Sequence, residues 1–266
     1  MNRKRLIIVM ALTVLLSFAF SQTASAAFLF KQYKQFKVKN PVSLLMYHMF
    51  SENPEEWSNY CTSPETLEKD IVYLINNGYE FLTANELATT YIPNPYKKYV
   101  LITLDDGYTS DYLYVLPLLE KYQVKATFFV TGAYIGQPGY MTEEMLQALS
   151  QSPYAEIGNH SFENHSLPYE ELKTQVELNP KPLMLDFRKN KILLEKITGK
   201  TVTSLSYPNG LYSRELNALL LLEGNKIVFS TDLQKFMYGS PDIAVGRINR
   251  PHGAEISDLM EIEFHD

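Results

Sequence analysis

Cysteine is almost missing. The 266 residues hold one, Cys61, so no disulfide can form within the chain. Cys61 stands just ahead of a helix start with no histidine near it in sequence, which reads as a small buried apolar side chain rather than a nucleophile. Basic charge is also in short supply. The 24 Lys and Arg face 30 Asp and Glu. That balance argues against nucleic acid, which needs a basic surface. Long apolar runs are absent after residue 20, so no second membrane-spanning stretch is expected. There is no internal repeat and no low-complexity segment. Histidine is scarce at five residues, and two of them flank one short segment.

The N-terminus reads as an export signal. Arg3, Lys4 and Arg5 precede an apolar stretch from Leu6 to Phe20, and Ala24-Ser25-Ala26 fits small-residue cleavage. Cleavage after Ala26 is expected, giving a secreted or cell-envelope protein; retention as an anchor is the alternative. Without those three basic residues (24 less 3, against 30 acidic) the formal charge is about −9. Residues 27–40 mix lysine with aromatics and read as a leader. Residues 41–266 then suit one sizeable domain, expected to be a monomer.

Strands and helices alternate through that domain. Apolar runs at Val42–Tyr47, Val100–Leu104, Ala126–Val130, Ala155–Gly158, Val202–Tyr207, Lys226–Ser230 and Ile243–Ile248 read as strands buried on both faces. Ser63-Pro64-Glu65 opens a helix that stops at Gly78. Thr142 caps another, a long polar helical stretch ends at Gly199, and Ser213 starts the next. The simplest architecture is a parallel, barrel-like α/β fold.

Two runs carry chemistry. LITLDDGY places Asp105 and Asp106 at the end of one strand, and GNHSFENHSL places His160 and His165 at the end of another. Adjacent residues on an extended chain point in different directions, so the two carboxylates have different tasks. One carboxylate and two imidazoles can hold a divalent ion with positions open, and the second carboxylate can act as a base. That combination reads as metal-assisted hydrolysis.

TLDDGY, HSFENH and YPNG, in this order, resemble the polysaccharide deacetylase family, the NodB-homology domain, over roughly Pro41 to Arg250. The resemblance implies an irregular (β/α)7-type barrel in a single domain, and a metal-dependent hydrolase that removes acetyl groups from a polysaccharide. It makes Asp105 the general base and assigns the metal to Asp106, His160 and His165. Zinc is the default ion, with nickel, cobalt or iron also suited to such a site.

Two departures refine this. The third motif has Ser206 and Asn209 where much of the family has arginine and an aromatic, so the base lacks its usual cation; Arg247, at the end of a late strand, could supply it. The general acid is often a histidine in a late strand, and none follows residue 210 in that context, since His252 and His265 follow no apolar run. His48 does, in LLMYH. With the five-residue histidine spacing, this is similar to the poly-β-1,6-N-acetylglucosamine deacetylase branch and implies His48 as the acid. A backbone N–H between Tyr207 and Asn209 would face the oxyanion. Trp57 and Tyr60 could stack on sugar or simply pack on the domain. Peptidoglycan, chitin-oligomer and acetyl-xylan substrates are the alternatives within the enzyme class. A non-catalytic glycan-binding protein on the same scaffold is the alternative outside it.

Overall fold

The computed structural model describes residues 42–91, 94, 96–232 and 244–261. The signal segment, the leader and His265 lie outside the described residues. Eight parallel strands form the main sheet. They are β1 (Val42–Tyr47), β2 (Tyr79–Phe81), β3 (Lys98–Leu104), β4 (Ala126–Val130), β5 (Ala155–Asn159), β6 (Ser204–Ser206), β7 (Ile227–Phe229) and β8 (Ile248–Asn249). The order is β8-β1-β3-β4-β5-β6-β7, with β2 pairing the beginning of β3 beside the place where β4 takes over. Helices fill the crossovers: α1 (Pro64–Asn76), α2 (Ala84–Thr89), α3 (Leu116–Tyr122), α4 (Glu143–Gln151), α5 (Tyr169–Leu178), α6 (Pro180–Thr198), α7 (Arg214–Leu222) and α8 (Ile256–Met260). This is the expected barrel-type α/β fold.

The local chemistry explains the elements. Six of the seven β3 residues are buried, as a strand covered on both faces requires. Ser63 caps α1 by accepting from the Thr66 N–H, Pro64 fills the first turn, and Gly78 leaves it at φ 75°. The polar stretch after residue 169 breaks at Asn179, where Pro180 opens α6, and Gly199 ends it at φ 68°. Leucine, isoleucine and valine from β1, β3, β4, α1 and α4 share the largest apolar core.

Two expectations change. Tyr79–Phe81 is an eighth strand, too short and too exposed to show as an apolar run. The anticipated strand Ile243–Ile248 is not continuous, and Ile243 lies outside the described residues. Val245 instead exchanges backbone hydrogen bonds with β7, through Val228 and Ser230, and only Ile248–Asn249 pairs with β1. One short segment thus serves both edges of the curled sheet. It cannot be a regular strand against either.

Candidate active site

The site is built where the strands end. Asp105 continues the β1–β3 pairing, its N–H donating to the Tyr47 carbonyl at 3.1 Å. Tyr47 pairs with Leu104, so His48 and Asp105 leave adjacent strands at the same level. Asp106 then turns left-handed at φ 78°, which is costly for a non-glycine residue and typical of functional sites. Gly107 follows at φ 87°, and a Cβ there would meet Val130 Cγ1 at 3.0 Å, so the turn needs glycine.

Asp105 is fully paired. Arg247 grips it with two hydrogen bonds of 2.7 Å, Nη1 to Oδ1 and Nη2 to Oδ2. The Ser206 hydroxyl donates to Asp105 Oδ2 at 3.1 Å and accepts from Arg247 Nη2 at 2.7 Å. Arg247 also donates to Thr103 Oγ1 and to the Ser230 carbonyl, and its guanidinium lies 5.6 and 5.8 Å from the ring centres of Phe129 and Phe229. Only 1% of Arg247 is exposed. Burial alone would raise the Asp105 carboxyl. The Arg247 charge outweighs it, with help from His160, and holds the group well below the usual carboxylate range. The structure therefore puts a cation on Asp105 from the late strand, while serine occupies the place of the motif arginine.

Asp106 is the opposite case. Its Oδ1 is buried and has no hydrogen-bond partner among the described residues. His165 Nε2 approaches it to 3.2 Å and His160 Nε2 to 3.4 Å. The three ligand atoms lie within 4.8 Å of one another. His160 Nδ1 is 2.9 Å from the Ser206 carbonyl, which can only accept, so Nδ1 carries the hydrogen and Nε2 presents a lone pair when the ring is neutral. Three electron-rich atoms converging without hydrogen bonds between them fit a divalent cation.

The histidine loop is held by residues that sequence patterns do not single out. Asp186 on α6 accepts from the Phe162 N–H at 2.7 Å and the Glu163 N–H at 2.9 Å, between the two histidines. Asn190, one helical turn on, donates to the Val130 carbonyl and to Asn159 Oδ1, both at 2.8 Å, and Asn159 Oδ1 accepts from the Ser161 N–H. Ser161 is left-handed at φ 70°. A Cβ on Gly132 would lie 2.1 Å from Asn190 Oδ1, so glycine is what lets α6 reach the loop. The only signal in sequence was a spacing of four between Asp186 and Asn190 on one helix.

The remaining candidates divide. His48 Nδ1 is buried and has no partner among the described residues, and its ring lies edge-on to Tyr60 at 4.9 Å. Burial lowers its pKa, opposed by the charges of Asp105 and Asp106. Tyr207 is not available to an oxyanion. Strand pairing spends its N–H on the Phe229 carbonyl at 2.9 Å, and its hydroxyl donates to Asn217 inside the core. Pro208 has no N–H, so a donor from this stretch falls to Asn209, at φ 54°. His252 stacks on Trp57 at 4.3 Å and contacts Thr62 Oγ1 at 3.3 Å, so both rings pack on the domain, while Tyr60 stays 61% exposed beside His48.

Fold and site together define a class: a parallel α/β barrel with an Asp-His-His cluster and a second, arginine-paired aspartate at its strand tips. Residues 93–227 match the family model for polysaccharide deacetylases, and the chain belongs to that family. YxkH of Bacillus subtilis (strain 168), which carries the provisional name of a polysaccharide deacetylase, is 33% identical over 183 residues. That match covers 67% of this chain but only 61% of YxkH, less than two thirds of that relative's length. The poly-β-1,6-N-acetyl-D-glucosamine N-deacetylase of Staphylococcus aureus (strain MRSA252) is 24% identical over 75% of this chain and 71% of its own. Among solved structures, the Streptococcus pyogenes deacetylase PplD, in complex with acetate, superposes with a TM-score of 0.71 at 20% identity, covering 85% of this chain and 98% of PplD. IcaB from Ammonifex degensii gives 0.69 at 22% identity, over 80% and 93%. These likenesses show the fold.

Proposed function

We propose that the protein is an exported, metal-dependent hydrolase that removes N-acetyl groups from a polymer of N-acetylglucosamine resembling the poly-β-1,6-linked kind. The observation that carries this is the contrast between neighbours. Asp105 is saturated by Arg247 and Ser206, while Asp106 Oδ1 is unpartnered and faces two imidazole nitrogens at 3.2 and 3.4 Å. The linkage preference rests on His48 and on the likeness to the staphylococcal enzyme. Among the described residues no helix is long and apolar enough to cross a membrane, and export rests on the N-terminal signal pattern.

Asp106, His160 and His165 would hold one divalent ion, with zinc the first choice for that donor set. Bound there, it would polarise the acetamide carbonyl and lower the pKa of a water. The protein's own groups do the rest. Asp105, kept ionised by Arg247, takes the proton of the attacking water. The Asn209 N–H supports the developing oxyanion. His48, level with Asp105 on the next strand, gives the departing amine its proton, without which an amine leaves poorly. Acetate release from partially acetylated β-1,6-, β-1,4- and xylan-type glycans, measured before and after chelation and metal return, tests the proposal. Turnover that survives complete metal removal would overturn it.

A further inference from the structure

Three tyrosines line one side of the histidine cluster and belong to none of the apolar cores. Tyr108 and Tyr140 stack with ring centres 5.0 Å apart and planes at 20°. Tyr134 lies 4.7 Å from Tyr140, and its ring stands edge-on to His165 at 6.3 Å. All three are half-buried, and none packs against the three hydrophobic clusters that account for the interior. The row of rings runs toward a proposed metal ligand rather than into the core.

Its backbone is stapled to the catalytic loops on both sides. Tyr108 and Tyr140 form an isolated antiparallel bridge. Thr109 N–H donates to the Gly139 carbonyl at 2.9 Å, and Met141 N–H to Gly107 at 3.0 Å, which ties the loop to the Asp106 turn. Gly132 N–H donates to the Ser161 carbonyl at 3.0 Å and Ala133 N–H to Phe162 at 2.8 Å, which ties it to the histidine loop. Within the loop, Gly136 N–H reaches the Met141 carbonyl at 3.0 Å. A surface braced in this way loses little freedom when something lies on it.

We infer that Tyr108, Tyr134 and Tyr140 form a stacking subsite for a pyranose ring, the polymer unit adjoining the one whose acetamide enters the site. This rests on the proposed function and adds where the chain runs. The C–H face of a hexopyranose is apolar and its rim is hydroxylated. Tyrosine offers the same combination, a flat apolar face with a polar tip. The occupant is a neutral sugar because the rings carry no charge. Continuity with His165 fixes the subsite beside the reacting unit. A braced platform there would hold the acetamide carbon in attack geometry, so occupying it should raise turnover as well as affinity.

The test uses the purified full chain with β-1,6-linked N-acetylglucosamine mono-, di- and trisaccharides. Wild type should show kcat/KM rising with chain length. Tyr134→Leu keeps apolar bulk but removes the ring, and should flatten most of that rise, with a loss of about tenfold on the trisaccharide. Tyr134→Phe should keep it. A rise that persists in Tyr134→Leu, or a loss equal on monosaccharide and trisaccharide, overturns the subsite. Tyr140→Leu gives a second reading if Tyr134→Leu proves unstable in thermal denaturation. If wild type releases no acetate at any length, the hydrolase reading fails, and calorimetric binding of the trisaccharide then decides the platform alone. Binding weakened about tenfold by Tyr134→Leu supports it. Equal binding, or none to wild type, overturns it.

Discussion

Two carboxylates at opposite ends of the same sheet, one half-buried and one buried, obey different rules. Glu156 lies early in β5, roughly 13 Å below His160 by strand rise. It accepts from the Asn85 N–H at 2.8 Å and the Ser204 hydroxyl at 2.7 Å, with the Thr127 hydroxyl at 3.4 Å. It joins α2 to β4, β5 and β6. Asp106, at the other end, has an oxygen with no partner. The lower end has fewer exceptions among the described residues: Gln123, before β4, is left-handed at φ 53°, and Asn225 Oδ1, before β7, is buried without a partner. The upper end carries the left-handed Asp106, Ser161 and Asn209 and the unpartnered His48 Nδ1. An unmet need among buried polar groups costs stability, so its concentration at one end marks where the fold has kept room for something else to bind.

The comparison breaks most sharply at Asp105. Asp105→Asn preserves shape and can still face Arg247, but it cannot take a proton. Turnover should fall by about 10²-fold or more with metal content kept. Near-normal turnover would move the base elsewhere. His48→Ala should also cost about 10²-fold on an acetamide but far less on an activated aryl acetate, whose leaving group departs unaided. Equal losses on both substrates would remove His48 from the acid role.

How much of this could be read from the chain follows from the same asymmetry. In a parallel sheet every crossover returns the strand tips to one end, so residues just after apolar runs converge whatever their separation. That is why His48, Asp105, Asp106 and His160 could be picked out by pattern. Arg247 was suggested only by a missing charge, because its segment serves two strands and has no clear period. Between Tyr207 and Asn209 the sequence does not choose a donor, since nothing in Ser206-Tyr207-Pro208 tells that strand pairing takes the Tyr207 N–H. Asp186 and Asn190 were missed because on an amphipathic helix they look like its solvated face. Glu156 gave no signal either, as a single acid in a short strand.

Asp186 sharpens the comparison at intermediate strength. It touches no proposed ligand atom, yet it fixes the turn between His160 and His165. Asp186→Ala should therefore weaken metal affinity by about 10- to 100-fold, measured by competition with a chelator, with kcat recovering at saturating metal. Asp186→Asn keeps one acceptor and should lie between. Unchanged metal affinity in Asp186→Ala would mean that the loop holds itself.

Glu156 should produce the smallest effect, confined to stability. Glu156→Leu leaves the Asn85 N–H and the Ser204 hydroxyl without their acceptor, at a cost of about 1–3 kcal/mol in urea denaturation. Turnover should not change, because Glu156 lies at the far end of the strands. The pH dependence tests the environment itself. Burial raises the Glu156 pKa, and its hydrogen bonds only partly offset that. A carboxyl with a raised folded-state pKa binds its proton more tightly folded than unfolded. Its stabilising effect is complete below the unfolded value and is lost as pH rises through the folded one. Glu156→Gln cannot ionise. The stability of wild type relative to Glu156→Gln should therefore decline as pH rises from the ordinary glutamate value through the raised folded-state one, then level off. A difference that is flat with pH would mean Glu156 ionises as freely as in the unfolded chain. A difference that grows in favour of wild type would mean its partners hold it as an anion, and the lower end of the sheet would then store charge as well as hydrogen bonds.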